Sequence, residues 1–213
     1  METTDLISQL SQNGPRRPLK SPFYYASIIC VCLFSFGLVA QCYLGLRDDL
    51  ALQLTNPLYI LECGLLLALS ISSVFAALIS MYPDYYRHRS LLPIPFLLFV
   101  AIAGLMAWQW VTVPLPSMGD ITFSPHTYEC TICIAIMAVP SSLALFWFMQ
   151  RGASITPSRA GAYATLAATG MACLVMRLEE YANSIPHFVT WHYLPTLIFA
   201  AFGALIGNKL LKW

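Results

Sequence analysis

Six long apolar stretches dominate this chain, and they limit what it can fold into more than any other feature. A helix needs about 20 apolar residues to cross roughly 30 Å of hydrocarbon, and each of the stretches reaches that length. Of the 213 residues, 58% are hydrophobic and only 10% are charged, whereas soluble domains carry about a quarter charged residues. The sequence therefore predicts an all-α integral membrane bundle and excludes an ordinary water-soluble fold.

The chain divides into a short polar N-terminal segment, residues 1–21, and a transmembrane domain, residues 22–213. The connections between the apolar stretches are short and contain the Pro, Gly and Asn residues that are typical of loops. None of them is long enough to form a separate domain. The predicted transmembrane helices span residues 22–46, 57–81, 92–112, 129–150, 160–178 and 190–208.

The distribution of Lys and Arg predicts how the helices are oriented. Basic residues are retained on the cytoplasmic side, whereas acidic residues have little influence. With the N-terminus inside, only Arg47 and Arg177 fall on the outer side. The basic residues on the cytoplasmic side are then Arg16, Arg17, Lys20, Arg87, Arg89, Arg151, Arg159, Lys209 and Lys212. The sequence therefore predicts a multi-pass protein of the bacterial inner membrane with both termini in the cytoplasm.

Small residues recur at helical spacing in the last two predicted helices. They favour close helix packing, because small side chains let two backbones approach in a membrane. Packing within the bundle is the simpler interpretation, and homodimerisation is the alternative. The residues are Ala160, Ala164, Ala168 and Ala172 in the fifth helix, and Gly203 and Gly207 in the sixth.

The N-terminal segment contains the pattern of a short amphipathic helix. Thr3 or Thr4 is a candidate N-cap, and Asp5 lies in the first turn. Leu6, Ile7 and Leu10 share one face. A helix of about eight residues is too short to be stable alone in water. We therefore expect Leu6, Ile7 and Leu10 to dock into a hydrophobic groove of a partner. The alternative is a frayed tail whose basic residues only fix the topology.

Placing an ionisable side chain inside a membrane costs free energy, so such residues usually have a bonding partner or a function. Glu62 in the second helix and Arg177 in the fifth both map to the outer half of the membrane. We expect them to pair across the bundle and fix its register, with a proton relay as the alternative. An aromatic belt at the membrane interface accounts for Trp191 and Tyr193.

The outer half also collects thiols, imidazoles and carboxylates. Cys130 and Cys133 form a CxxC near the outer end of the fourth helix, where both sulfurs lie on one face. Glu180, His187 and His192 map to the same side of the membrane. Such groups bind soft or borderline metals, and a CxxC can also oxidise to a disulfide. A single CxxC is also consistent with two buried cysteines that act as small hydrophobic residues.

No catalytic or nucleotide-binding motif is found in the sequence, so we do not expect an enzyme. The net charge of +1 offers no basic surface for nucleic acid. A small-molecule or ion transporter remains an alternative, although transporters usually place polar groups at the membrane midplane. A metal-binding or redox membrane protein without a protein partner is a further alternative.

Several short motifs, in order, give the chain its resemblance to a known family. They are TTDLISQL at the N-terminus with Pro15 and Pro18, LRDDL at 46–50, LECG at 61–64, the CxxC before Pro140, RGASITP at 151–157, RLEE at 177–180, His187 with WHYLP, and the C-terminal LLKW. With this order and spacing, the chain resembles the NrsF family of bacterial membrane proteins from end to end. These proteins are negative regulators of extracytoplasmic-function sigma factors of the sigma F type.

The resemblance implies a membrane-bound anti-sigma factor. Its N-terminal segment, with Asp5, Leu6, Ile7 and Leu10, would hold an extracytoplasmic-function sigma factor at the membrane. An outside stress, such as a heavy metal or an oxidant, would release that partner. The protein would then act in negative regulation of transcription and in the stress response, without direct contact with nucleic acid.

The resemblance also implies a sensor site on the periplasmic side. Some members of the family use a cysteine in the fourth helix together with another after the fifth. After the fifth helix this sequence carries Glu179 and Glu180 instead of a cysteine. This favours a mixed site of Cys, Glu and His over a switch between two cysteines. The expected sensor residues are Cys130, Cys133, Glu180, His187 and His192, and a metal ion bound by them is the candidate cofactor.

Overall fold

The computed structural model describes residues 4, 5, 7, 8, 20–112, 127–181 and 183–212. These residues form helices and connecting turns, and six helices are long and apolar enough to cross a membrane. We number them α1 (Pro22–Leu44), α2 (Pro57–Ser80), α3 (Ile94–Thr112), α4 (Thr127–Met149), α5 (Pro157–Glu179) and α6 (Leu194–Leu210). The prediction of six helices long and apolar enough to cross a membrane is confirmed, and their bounds agree with the predicted ones to within a few residues. The cytoplasmic placement of the termini stays a prediction.

Within the part of the chain that the structure describes, four shorter helical turns connect the long helices. They are a helical turn at Leu50–Gln53, a 3₁₀ helix at Tyr85–Leu91, a helical turn at Ile185–Phe188 and a π-helical turn at Val189–Tyr193. The last two lead directly into α6, so that Ile185–Leu210 is one continuous helical segment.

Local sequence signals explain where α1 and α2 begin. Pro22 and Pro57 occupy the first turn of these helices, where the missing N–H of proline costs nothing. The residue before each proline caps the helix. Ser21 Oγ accepts a hydrogen bond from the N–H of Phe23 at 3.3 Å, and Asn56 Oδ1 accepts one from the N–H of Leu58 at 3.0 Å.

Helix α5 lies at the centre of the bundle and packs against α1, α2, α4 and α6. It is both the least hydrophobic and the most buried of the six spans. These two properties agree, because a helix enclosed by other helices has little surface that must dissolve in lipid. Its alanines at positions 160, 164, 168 and 172 are all buried.

The outer helices present large apolar side chains on the lateral surface of the bundle. Val31, Phe96, Trp108, Ile136 and Leu205 are each more than 60% exposed. A water-soluble protein rarely exposes so continuous an apolar surface. This surface is what a lipid bilayer would cover, and it identifies the chain as a membrane protein.

Helices α5 and α6 approach each other through glycine. A Cβ atom added to Gly161 would overlap the carbonyl oxygen of Gly203 and would lie 2.8 Å from the Cα of Gly207. Only glycine fits such a backbone contact. The predicted packing role of Gly203 and Gly207 within the bundle is therefore confirmed.

The bundle has two ends that differ in composition. At the Lys20 end, where α1 begins, the hydroxyl of Tyr82 donates a hydrogen bond to the carbonyl of Lys20 at 2.5 Å. At the opposite end, which we call the Arg177 end, the N–H of Arg47 donates to the carbonyl of Leu178 at 3.1 Å. The ionisable residues expected at the outer side of the membrane lie at this Arg177 end.

Candidate functional site

A buried ion pair lies at the Arg177 end between α2 and α5. The Nε of Arg177 donates to Oε2 of Glu62 at 3.0 Å, and both side chains are more than nine-tenths buried. The other carboxylate oxygen, Oε1, accepts a hydrogen bond from the hydroxyl of Tyr193 at 2.5 Å. The structure thus brings together the two residues expected to pair across the bundle and adds a third partner.

Tyr193 corrects the aromatic-belt interpretation. Its side chain is only 8% exposed, and its hydroxyl contacts Glu62 rather than the membrane interface. The reason is the direction of the helical turn before α6, which points this residue into the bundle. A buried tyrosine hydroxyl needs a hydrogen-bond partner, and the carboxylate supplies it.

A second arginine joins the same network. Arg47 is 2% exposed and makes two contacts with the carboxylate of Asp49, at 2.6 Å and 2.9 Å. Both Arg47 and Arg177 also donate to Oδ1 of Asn183, at 3.4 Å and 3.3 Å. Asn183 therefore connects the loop after α1 with the end of α5. The bond with Arg47 is the main reason that the pKa of Asp49 is lowered, to about 2.

A cluster of four potential metal ligands lies next to this network. We call it the Cys130 cluster, and it consists of Cys130, Glu180, His187 and His192. Each residue offers one ligand atom, and the four atoms lie within 4.8 Å of one another. Cys130 comes from the first turns of α4, Glu180 follows the last residue of α5, and the two histidines precede α6. The site is thus formed where three helices meet.

The carboxylate of Glu180 lies between the two imidazoles. Its Oε1 is 2.7 Å from Nε2 of His187, and its Oε2 is 3.0 Å from Nε2 of His192. Both histidines are nearly fully buried, at 3% and 1% exposure.

These short distances do not form directed hydrogen bonds. Nε2 of His187, Nε2 of His192 and Oε2 of Glu180 are buried, and none has a hydrogen-bond partner of suitable geometry among the described residues. Buried polar atoms are normally paired. Three such atoms that face one another are therefore the most unusual feature of the Arg177 end.

The π-helical turn at Val189–Tyr193 brings the two histidines together. Residues five apart in an α-helix point in directions roughly 140° apart, at about 100° per residue. The wider π turn reduces that angle, and the ring centroids of His187 and His192 are 5.3 Å apart. The turn is tied to α4, because the hydroxyl of Thr131 donates to the carbonyl of Trp191 at 2.6 Å.

One of the expected sensor residues lies outside the cluster. Cys133 is half-buried and is not among the described side chains whose ligand atoms converge. It lies on the same face of α4 as Cys130 but about 4.5 Å further along the helix axis, at a rise of about 1.5 Å per residue. The structure therefore brings together four of the five residues.

The expected docking residues can be located only in part. Asp5 and Ile7 lie in helical conformation and are exposed, with Ile7 at 61%. Leu6 and Leu10 lie outside the described residues. The role of the N-terminal segment stays a prediction.

The sequence did not predict that Arg47, Asn183 and the hydroxyl of Tyr193 belong to the buried network. The spacing of Arg47 and Asp49 in LRDDL was a usable signal, because residues two apart in a turn can form a local ion pair. No signal in the sequence pointed to Asn183, which meets both arginines only after the chain has folded.

Comparisons with known proteins show which family the chain belongs to. Residues 10–213 match the family model NrsF, described as negative regulator of sigma F. A protein of Azospira oryzae named probable anti-sigma-F factor NrsF is 29% identical over 216 residues, which cover 100% of both chains. No solved structure is significantly similar to the chain. Since the family model covers nearly the whole sequence, the chain belongs to the NrsF family.

Proposed function

We propose that this protein is an anti-sigma factor of the bacterial inner membrane. In this proposal, its cytoplasmic N-terminal segment sequesters an extracytoplasmic-function sigma factor. A stress signal on the periplasmic side, a heavy metal or an oxidant, releases it. The observation that carries the proposal is the match of residues 10–213 to a family of negative regulators of sigma F.

The arrangement of polar groups supports regulation rather than transport. The buried arginines and the Cys130 cluster lie together at the Arg177 end, and α5, which carries Arg177, is packed along its length by alanine and glycine. A transported ion or solute needs polar groups near the middle of the membrane. A site confined to one end is better suited to sensing on that side.

The N-terminal segment is the part of the chain best placed to hold a partner. The basic residues that follow it, Arg16, Arg17 and Lys20, favour a cytoplasmic location by the positive-inside rule. Ile7 is exposed on a helical turn, and Leu6 and Leu10 share its face in the sequence. Because such a short helix needs a partner to stay folded, binding and folding of this segment would occur together.

The route from signal to partner would run through α5. Arg177 near the C-terminal end of this helix pairs with Glu62 and lies three residues before Glu180. Pro157, at the other end of the helix, follows the loop that we expect on the cytoplasmic side. A change at the Arg177 end that alters the packing of α5 would therefore reach the side where the sigma factor is held.

Capture of a sigma factor tests the docking role. The full-length protein, tagged after Trp213 and solubilised in detergent, is co-expressed with the extracytoplasmic-function sigma factors of its own organism. We expect wild-type protein to retain one of them. Leu6→Ala combined with Leu10→Ala should reduce capture more than about tenfold, because each buried leucine contributes about 1.5–3 kcal/mol.

The matched control is Gln12→Ala, because the helical periodicity of the sequence puts this position opposite Leu6 and Leu10, and it should leave capture unchanged. Transcription from a sigma-dependent promoter gives an independent readout in cells. It should rise in the leucine double variant and stay low in the control. Equal capture by the wild-type protein and the leucine double variant would disprove docking through this helix.

A further inference from the structure

We propose that Cys130, Glu180, His187 and His192 bind one divalent cation of the zinc and cadmium class and that this ion holds the π-helical turn before α6. The role of this ion as the periplasmic signal rests on the proposed function. The binding itself is a property of the folded bundle alone.

The donor set indicates the class of ion. One thiolate, two imidazoles and one carboxylate are the ligands that zinc takes in proteins, usually four at a time in a tetrahedron. Calcium and magnesium prefer oxygen ligands, and three of the four donors here are nitrogen or sulfur. Thiolate and imidazole together select a borderline or soft cation.

The separations of the ligand atoms fit such an ion after small side-chain shifts. Bonds of about 2.0–2.3 Å in a tetrahedron place ligand atoms roughly 3.3–3.8 Å apart. Oε1 of Glu180 lies 2.7 Å from Nε2 of His187, and its other oxygen, Oε2, lies 3.0 Å from Nε2 of His192. One ligand atom from each of the four residues lies within 4.8 Å of the other three. The closest pairs would open and the widest would close by about an ångström or less.

The unpaired buried atoms are the independent observation that points to a cation. Nε2 of His187, Nε2 of His192 and Oε2 of Glu180 face the centre of the cluster without a directed hydrogen bond among the described residues. Each Nε2 has a lone pair in the tautomer that carries its proton on Nδ1, and the carboxylate oxygen has lone pairs of its own. A single cation would satisfy all three atoms together with the thiolate of Cys130.

The π turn connects ion binding with the packing of the bundle. His187 and His192 lie on one side only while the backbone takes this turn, so an ion bound by both stabilises it. Tyr193, the last residue of the turn, donates to Glu62, which pairs with Arg177 on α5. Binding at the cluster therefore acts on the contact between α2, α5 and α6.

A direct test uses Co²⁺ as a spectroscopic probe with the purified, reduced full-length protein in detergent. Tetrahedral Co²⁺ with a thiolate ligand gives characteristic charge-transfer and d–d absorption bands. We expect one Co²⁺ per chain with both sets of bands, and displacement by Zn²⁺ or Cd²⁺. A wild-type protein that binds no Co²⁺, or binds it without the thiolate band, overturns the proposal without the need for any variant.

Substitutions then locate the site. Cys130→Ser should abolish the thiolate band, and His192→Gln should weaken Co²⁺ binding by at least about 100-fold, since changes outside the first shell already cost about 10–100-fold. The matched control is Cys133→Ser, one turn along the same helix, which should bind Co²⁺ like the wild-type protein. Loss of binding in the control but not in Cys130→Ser would place the ion elsewhere and overturn the assignment.

The two proposals fail in different ways. Sigma-factor capture by metal-free wild-type protein does not require the ion, and Co²⁺ binding does not require the N-terminal segment. Normal capture without Co²⁺ binding would overturn the metal site alone. Normal Co²⁺ binding without capture would overturn the docking role alone and leave the site intact.

Discussion

Arg177 on α5 and Glu62 on α2 form an ion pair of 3.0 Å across 115 positions of the chain. The pair is buried, and Tyr193 and Asn183 supply further hydrogen bonds to its two members. These added bonds matter because two charges removed from water are stabilised only when their remaining donors and acceptors are also paired. The pair fixes the register of the second and fifth helices at the Arg177 end.

Breaking this pair on one side should destabilise the bundle strongly. Glu62→Gln leaves the guanidinium of Arg177 buried without a counter-charge, and we expect a loss of about 3–5 kcal/mol in the free energy of unfolding. Unfolding in mixed detergent micelles measures it. The double variant Glu62→Gln with Arg177→Met should lose less than Glu62→Gln alone, because it leaves no isolated charge. A double variant that is less stable than either single variant would contradict this account.

Closing the gap between α5 and α6 should also destabilise the protein. Gly161→Ala places a methyl group onto the backbone of Gly203 and Gly207, and overpacking of this kind costs about 1–3 kcal/mol or more. Gly104→Ala on α3 is the matched control, because a Cβ there meets no atom within 4 Å. We expect the control to keep or slightly raise the thermal midpoint in detergent. Equal midpoints for Gly161→Ala and the wild-type protein would show that the helices separate easily.

The bond between Arg47 and Asp49 should make stability depend on pH in the acid range. The pKa of Asp49 is lowered from 3.8 to about 2, chiefly by its hydrogen bond with Arg47. A carboxyl group with a lowered pKa stabilises the folded state above its unfolded pKa, and this stabilisation is lost as the pH falls through the folded value. The contribution should therefore be present at pH 5 and decline between about pH 4 and pH 2.

Thermal unfolding of wild-type protein and Asp49→Asn at a series of pH values measures this effect. The difference between their midpoints should be largest at pH 5 and should shrink toward pH 2. Asp48→Asn is the control, since the bond with Arg47 is made by Asp49. A difference that does not change over this range would refute the role of the Asp49 carboxylate.

The membrane orientation predicts where reporters will be active. Alkaline phosphatase fused after residue 118, between α3 and α4, should be active because this loop is expected in the periplasm. The same enzyme fused after Trp213 should be inactive, whereas a green fluorescent protein at that position should fluoresce. The reverse pattern would place the Cys130 cluster in the cytoplasm and would remove the proposed path from an outside signal.

The motifs RLEE and WHYLP correctly indicated the region that contains Glu180 and His192. They did not show which residues of that region contact one another. Cys130 and Cys133 were equivalent in the sequence, since both lie on one face of the fourth helix. The structure separates them, because the segment before α6 meets α4 at the level of Cys130. A difference of one helical turn decides which thiol can share a site with the histidines.

The six long apolar helices and the close packing of the last two were predictable from the sequence. Both are local properties, since the length of an apolar stretch and the size of its side chains do not depend on distant residues. The partners of Arg47 and Tyr193, and the assembly of Glu180, His187 and His192 beside Cys130, became known from the folded bundle. The π turn and the contacts of Asn183 form when separate helices pack together. The periodicity of the sequence does not specify the relative axial positions of packed helices.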